Sequence, residues 1–206
     1  MTLLTVWPDS DPTTVLTRTS TPGDIAVELK RLGVRYENWP VAEGLPPTPT
    51  SEEVLAAYRP HVDRVVETEG YILVDAMHMT PSTDPEWQEN AAEARKKFLA
   101  EHTHDDDEDR FFARGAGVFY LHVENKVYGI LCEAGDLLSV PKNTTHWFDM
   151  GTTPDYISIR FFHDDDGWVG NFTGSKIADD FPTFDTLMEG HRSSHRPSTT
   201  EPAATT

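Results

Sequence analysis

Two histidines separated by one residue begin a short segment that is rich in possible metal ligands. His102 and His104 are followed by Glu108, with only Thr103 and three aspartates between them. Alternate side chains of a strand share a face, so both imidazoles and the Glu108 carboxylate converge if the segment stays extended. Imidazole and carboxylate ligands together suit a divalent first-row metal. Coordination positions left open would indicate catalysis rather than a structural metal.

Other interpretations of this segment remain open at this stage. An isolated His-x-His pair can lie exposed on an acidic loop, and a run of aspartates can be a solvated face without a partner. A calcium loop over Asp105 to Asp109 is disfavoured because the EF-hand spacing and its turn glycine are missing. A second element, from Gly135 to His146, adds another histidine after a strand and a turn, which favours a metal site.

Together the two elements resemble the two sequence motifs of the cupins. The first, His-x-His-x3-Glu-x6-Gly, is matched by His102, His104, Glu108 and Gly115. The second, Gly-x5-Pro-x-Gly-x2-His, is matched by Gly135, Pro141 and His146. Asn143 replaces the second glycine of that motif, and asparagine is the side chain that best tolerates a left-handed turn after glycine. The resemblance implies a cupin double-stranded β-helix, also called a jelly-roll barrel.

Within the cupins, the chain resembles the acireductone dioxygenase family from about Leu29 to Pro182. The matching strings include Leu32-Gly33-Val34-Arg35, Arg95-Lys96-Lys97-Phe98, Glu101-His102-Thr103-His104, Arg110-Phe111-Phe112, Tyr120-Leu121-His122-Val123, Gly135-Asp136-Leu137, His146-Trp147-Phe148-Asp149-Met150-Gly151 and Asn171-Phe172-Thr173-Gly174-Ser175. Asp109 stands where the family usually has an aliphatic residue. Asp109 directly follows Glu108, so on a strand its side chain lies on the face opposite the ligands, and we expect it to have little effect on the chemistry.

The resemblance implies a metal-dependent dioxygenase of methionine salvage. His102, His104, Glu108 and His146 would hold one Fe(II) or Ni(II) ion per chain. The substrates would be O2 and the anion of 1,2-dihydroxy-3-keto-5-methylthiopentene. Arg110 and Arg160 would face that anion as catalytic residues, and Phe98 and Phe148 would line the pocket beside the methylthio tail.

These roles have structural alternatives. Either arginine could be an exposed strand residue paired with one of the many acids, and Arg160 lies on a strand whose facing the sequence does not determine. Phe98 and Phe148 could equally be core aromatics. The ligand set is also compatible with another cupin dioxygenase or isomerase, or with a non-catalytic small-molecule-binding cupin, because a fold does not determine a function.

The elements that must position the site are mainly β-strands with helices outside them. Period-two patterns predict strands over Val118–Val123, Lys126–Cys132, Asp136–Val140 and Tyr156–Phe162. Capping signals predict helices that begin at Pro22, near Thr50 and at Pro85, and Pro60 must kink or split the second. We expect one cupin domain over residues 1–188, with an N-terminal helix and strand elaboration and a core at about 98–163. The Ser/Thr/Pro-rich residues 189–206 are expected to be a disordered tail.

Composition excludes several partners. The 206 residues contain 17 Lys plus Arg against 35 Asp plus Glu, a formal net charge of −18, which would repel nucleic acid. No apolar run approaches the roughly 20 residues that span a bilayer, so no membrane contact is expected. Cys132 is the single cysteine, which excludes an intrachain disulfide and suits a reducing cytoplasm. We expect a cytoplasmic monomer.

Overall fold

The computed structural model of this chain describes residues 2–165 and 167–194. Within them lie eleven strands, named in chain order: β1 Leu3–Pro8, β2 Thr17–Thr19, β3 Arg35–Asn38, β4 Leu73–Met79, β5 His102–Thr103, β6 Glu108–Val123, β7 Lys126–Glu133, β8 Asp136–Val140, β9 His146–Asp149, β10 Tyr156–Phe162 and β11 Asn171–Phe172. The α-helices of this part of the chain are α1 Pro22–Lys30, α2 Ser51–Ala57, α3 Arg59–Glu69, α4 Pro85–Leu99 and α5 Phe184–Ser194.

The strands form two antiparallel sheets that share the long strand β6. The front sheet has the order β4-β10-β6-β8-β3, and the back sheet has the order β2-β1-β7-β6-β9-β5-β11. The first half of β6 pairs with β8 and β10, and the second half pairs with β7 and β9. Because one strand passes between them, the sheets enclose a common interior. This is the mainly β barrel with outer helices that the sequence predicts.

A bulge in β6 changes which of its residues face the barrel interior. The register with β10 pairs Phe112 and Arg114 but skips Ala113. One extra residue reverses the alternation, so interior side chains are even-numbered up to Phe112 and odd-numbered from Phe119 onward. The outward residues pack beneath α2 and α3 on one side and beneath the C-terminal segment on the other.

Two motif positions have a left-handed backbone, which the sequence predicts for Asn143. Asn143 has a φ of +62°, so asparagine does take the left-handed turn position. Gly115 has a φ of +72°, and a Cβ there would collide with the backbone of Asp155 and Tyr156. Glycine is therefore required at residue 115 for both conformation and space.

The predicted helices are present. Thr50 and Glu53 form a complete capping box at the start of α2, and Asp84 caps α4. Pro60 lies at the second position of α3, where proline is tolerated, and the helical segment is split at Tyr58. The sequence patterns did not reveal β1 or β4. Strand β4 is interrupted by polar residues, yet it completes the front sheet beside β10.

The C-terminal boundary differs from the expected one. Helix α5 continues through Ser194, so residues 189–194 are helical rather than part of a disordered tail. The rest of the expected tail, residues 195–206, lies outside the described residues. No helix in the described ranges has the length and apolar character needed to span a bilayer.

Candidate metal centre

The four predicted ligands meet inside the barrel. One potential ligand atom from each of them lies within 4.8 Å of the others, and all four residues are at most 7% exposed. Strand pairing produces this convergence: β5 pairs with β9 so that His102 is directly opposite His146. Glu108 begins β6 and lies opposite Val140 of β8, so it reaches the cluster from the front sheet.

The segment between His104 and Glu108 is bent, which corrects the assumption of a continuous strand. Strand β5 ends at Thr103, and the chain turns before β6 begins. Two of the intervening aspartates stabilise this turn, because Asp107 accepts a hydrogen bond from the backbone N–H of Lys142 and Asp106 accepts one from that of His163. Glu108 therefore reaches the cluster through a bend, and these two carboxylates are structural.

Backbone carbonyls orient all three imidazoles in the same way. The Nδ1 atoms of His102, His104 and His146 lie 2.6, 2.9 and 2.7 Å from the carbonyl oxygens of Ala100, Val169 and Thr144, respectively. A carbonyl only accepts, so each Nδ1 carries a proton and donates it, and Nε2 is the nitrogen that each ring directs into the cluster. Such outer hydrogen bonds typically fix the tautomer and the ring plane of metal-binding histidines.

This arrangement fits a cation. Oε2 of Glu108 lies 3.2 Å from Nε2 of His104 and 3.0 Å from Nε2 of His146. With protons on the Nδ1 atoms, these contacts would bring lone pairs against a carboxylate in a buried site, which is unfavourable without a positive charge between them. Three imidazole nitrogens and one carboxylate oxygen form a donor set that suits Fe(II) or Ni(II). The donor chemistry therefore agrees with the predicted metal ion.

The electrostatics of the cluster favour the ligand protonation states of His102 and Glu108. Burial and the nearby His146 together lower the pKa of His102 to about 4, so this ring is neutral at neutral pH. Burial acts to raise the pKa of Glu108, but the positive charge of Arg110 and the contacts with His104 and His146 hold this pKa well below its usual value. The same carboxylate raises the pKa of His104 against the effect of burial. A carboxylate and a neutral imidazole are the forms that bind metal.

Arg110 and Arg160 lie directly opposite each other in the front sheet. The register of β10 on β6 pairs these two residues, so both side chains are on the same face. Nη2 of Arg110 donates to Oε1 of Glu108 at 2.8 Å, while its buried Nε and Nη1 have no hydrogen-bond partner in the described part of the chain. Arg160 is held by Asp75 on β4, with its Nε and Nη2 at 2.8 and 2.6 Å from the two carboxylate oxygens.

A cavity of about 370 Å³ opens beside the cluster. Both predicted aromatics line it, and their rings meet edge to face with centroids 6.3 Å apart. The wall also contains residues that the sequence prediction missed: Leu73, Asp75, Lys97, Phe162, Trp168 and Phe172. Of these, only Trp168 has a sequence signal that could have been used, because a large aromatic residue directly follows the Asp-Gly of a loop. The indole N–H donates to the carbonyl of Asp107, and its ring lies 5.4 Å from Cζ of Arg110.

Asp109 lies on the opposite side of β6 from this cavity, as its parity predicts. The side chain is fully buried, and burial raises its pKa despite the ion pair with Arg35. Cys132 is also fully buried, which agrees with a thiol that packs rather than reacts. Neither residue lines the cavity.

A two-sheet barrel that encloses a cluster of three histidines and one glutamate defines a mononuclear metal-binding cupin. A sequence model of the ARD/ARD' family matches residues 4–170 of the chain. Acireductone dioxygenase from Saccharopolyspora erythraea is 65% identical over 188 residues, which cover 91% of this chain and 98% of that protein. The acireductone dioxygenase from Frankia alni is 52% identical over 204 residues, 99% of each chain.

A solved structure is also similar to this chain. Acireductone dioxygenase from Bacillus anthracis, with a cadmium ion in its active center, has a TM-score of 0.70 and 28% sequence identity. The similarity covers 84% of this chain and 98% of that chain. The chain belongs to the ARD/ARD' family. The predictions of a cupin fold and of a metal-dependent acireductone dioxygenase are confirmed, and the family match extends closer to the N-terminus than the expected start at Leu29.

Proposed function

We propose that this chain cleaves 1,2-dihydroxy-3-keto-5-methylthiopentene with O2, with His102, His104, Glu108 and His146 holding one Fe(II) or Ni(II) ion. The observation that supports this most directly is the buried ligand cluster beside Arg110, whose two unpaired donors adjoin a cavity of about 370 Å³. The bound ion would supply Lewis-acid chemistry, holding and orienting the two enediol oxygens of the substrate.

Arg110 is proposed to hold the substrate anion. Nη2 is occupied by Glu108, which fixes the guanidinium plane and leaves Nε and Nη1 to donate to an enediolate oxygen. Charge-assisted hydrogen bonds of this kind are the strong ones, and burial keeps water from competing for them. The ring of Phe148, whose centroid lies 4.5 Å from Cζ of Arg110, supports the guanidinium from one side.

The remaining predicted site residues are assigned to orientation and exclusion of water. Phe98 and Phe148 would receive the methylthio tail, because both rings line the cavity near the cluster. Arg160 would add a second positive charge. Asp75 occupies its Nε and Nη2, so Nη1 is the donor that Arg160 can offer to an anion.

The proposed products depend on the metal. With Fe(II) we expect formate and 4-methylthio-2-oxobutanoate, and with Ni(II) we expect formate, carbon monoxide and 3-methylthiopropanoate. The same donor atoms accept either ion, but a change in how the chelated oxygens lie could direct cleavage to different carbon–carbon bonds. The protein sequence need not change.

The test is to prepare metal-free protein, reload it separately with each ion, and measure carbon monoxide and the organic acids after adding acireductone and O2. Identical product mixtures from two fully loaded forms would refute the metal dependence and leave the dioxygenase activity standing. Turnover with neither ion, but binding of the acireductone, would instead favour a small-molecule-binding cupin.

The ligand assignment has its own test, which does not depend on activity. Alanine at any one of the four ligand positions should lower the metal content of the purified protein and its thermal stability. His78→Ala is a matched control, because His78 lies on β4 and contacts Ser51 rather than the cluster. Full stoichiometric metal in all four ligand variants would show that the site is elsewhere.

We also propose a cytoplasmic monomer with one cupin domain. The buried thiol of Cys132 and the absence of a second cysteine support a reducing compartment. Light scattering after size exclusion would measure the oligomeric state, and fractionation of native cells would locate the protein. A dimer mass or a membrane-bound fraction would contradict this proposal.

A further inference from the structure

Three cationic side chains line the cavity beside the metal cluster, and they differ in how their charge is compensated. Arg110 is paired with Glu108, and Arg160 is paired with Asp75 through two hydrogen bonds. Lys97 has neither an ion pair nor a hydrogen bond from its side chain in the described part of the chain. Among the described residues, its ammonium is therefore the positive charge of the cavity wall that has no partner.

The position of Lys97 is determined by α4. The helix ends at Leu99, so Lys96 and Lys97 both lie in its last turn, where positive side chains interact favourably with the helix dipole. The helix dipole explains why both residues are positively charged, but it does not explain where their side chains point. Consecutive helical residues point about 100° apart, and the two lysines line different cavities. Lys97 lines the cavity beside the cluster, whereas Lys96 lines a separate cleft with Arg95 and Lys176.

Because the chain has a negative net charge, an unpaired lysine in the cavity wall can attract an anion that the rest of the protein repels. At −18 the protein as a whole repels an anion, so an acidic substrate must be attracted locally. Asp165 also lines the cavity, and its carboxylate adds negative charge beside the cluster. An exposed ammonium on a flexible stem can reach an incoming anion before the buried Arg110 does.

We propose that Lys97 captures the anionic substrate and draws it into the cavity, a role that rests on the proposed function. The substrate class is a small organic anion carrying an ionised enediol. Lys97 contributes to the affinity and to the association rate, while Arg110 orients the bound anion. The electrostatic part of its effect weakens as salt screens the charge.

The test compares Lys97→Met with Lys96→Met, which remove the same charge from the same helix turn. With the metal-loaded protein, kcat/KM for the acireductone is measured at about 0.01 M and about 1 M salt, where the Debye length is about 30 and about 3 Å. We expect Lys97→Met to lower kcat/KM roughly three- to tenfold at low salt, mainly through KM, and much less at high salt. Lys96→Met should stay within about twofold of the wild type, and Lys97→Arg should restore most of the loss, because it keeps the charge.

A second measurement separates this proposal from the proposed function. The acireductone is titrated into the Ni(II)-loaded protein without oxygen, and its Kd is measured for the wild type and both methionine variants. Weaker binding in Lys97→Met alone supports capture, even if the wild type does not turn the compound over. An equal loss of affinity in both variants would indicate a long-range charge effect and would overturn the proposal. So would an unchanged affinity in both variants. A lower kcat of Lys97→Met with unchanged KM and Kd would overturn it as well.

Discussion

Replacing Gly117 by alanine should displace the ring of Phe148 into the cavity beside the candidate metal centre. Gly117 faces the barrel interior beyond the β6 bulge, and a Cβ there would lie 2.6 Å from Cε2 of Phe148 and 3.4 Å from Cε1 of Phe112. Carbon atoms pack best at about 3.5–4.0 Å, so the Phe148 ring must move by about 1 Å. The ring of Phe119, with its centroid 4.8 Å away, and Cζ of Arg110, at 4.5 Å, limit that movement.

The expected cost follows from overpacking. Adding a methyl group to a well-packed core typically destabilises a protein by about 1–3 kcal/mol. For a chain of this size each kcal/mol lowers Tm by about 2–4 °C, so Gly117→Ala should melt about 2–12 °C below the wild type. The displaced ring should also raise KM, while metal content stays unchanged because no ligand is touched. Calorimetry, steady-state kinetics and elemental analysis measure these three quantities.

A double-mutant cycle makes this reasoning refutable. Phe148→Leu removes the ring that the new methyl group contacts, so Gly117→Ala should cost much less in that background, with a coupling of about 1 kcal/mol or more. Gly23→Ala is the matched control, since a Cβ at residue 23 meets nothing within 4 Å. A wild-type Tm and KM for Gly117→Ala, or strictly additive effects in the cycle, would show that the ring does not fill this space.

Three further predictions concern single interactions. Arg110→Lys keeps the charge but loses the planar donor group, so kcat/KM should fall roughly 10- to 100-fold with metal content unchanged; wild-type kinetics would reduce Arg110 to a partner of Glu108. Burial acts to raise the pKa of Glu37, but hydrogen bonds from Arg64 and Trp39 lower it below 4.5. The stability this carboxylate contributes is present above pH 4.5 and is lost as the pH falls through its folded pKa. Arg64→Met should raise that pKa in an NMR titration, and an unchanged pKa would contradict the assignment. Removing the metal with a chelator should lower the free energy of unfolding by about 2.7 kcal/mol relative to metal at a hundredfold excess over Kd. Urea titrations measure the difference, which should vanish in Glu108→Ala if this cluster is the site.

Local sequence patterns predicted the parts of this protein that depend on short-range chemistry. The capping box at Thr50, the left-handed turn at Asn143 and the helix split beside Pro60 each depend on the conformations of a few neighbouring residues. The cluster of three histidines and Glu108 was also predictable, because two motifs with fixed spacing contain its members. Spacing did not reveal the bend between His104 and Glu108, since that bend depends on hydrogen bonds from Lys142 and His163, which are distant in sequence.

Strand register decided what the sequence left open about the cavity. The facing of Arg160 follows from its pairing with Arg110, and its restraint by Asp75 follows from the pairing of β10 with β4. The bulge at Ala113 reverses the alternation of β6, which a strict two-residue period does not predict. By itself the sequence determined which side chains can bind a metal and an anion. Only the tertiary structure decided which of them share the cavity, because strands distant in sequence come into register through packing of the whole barrel.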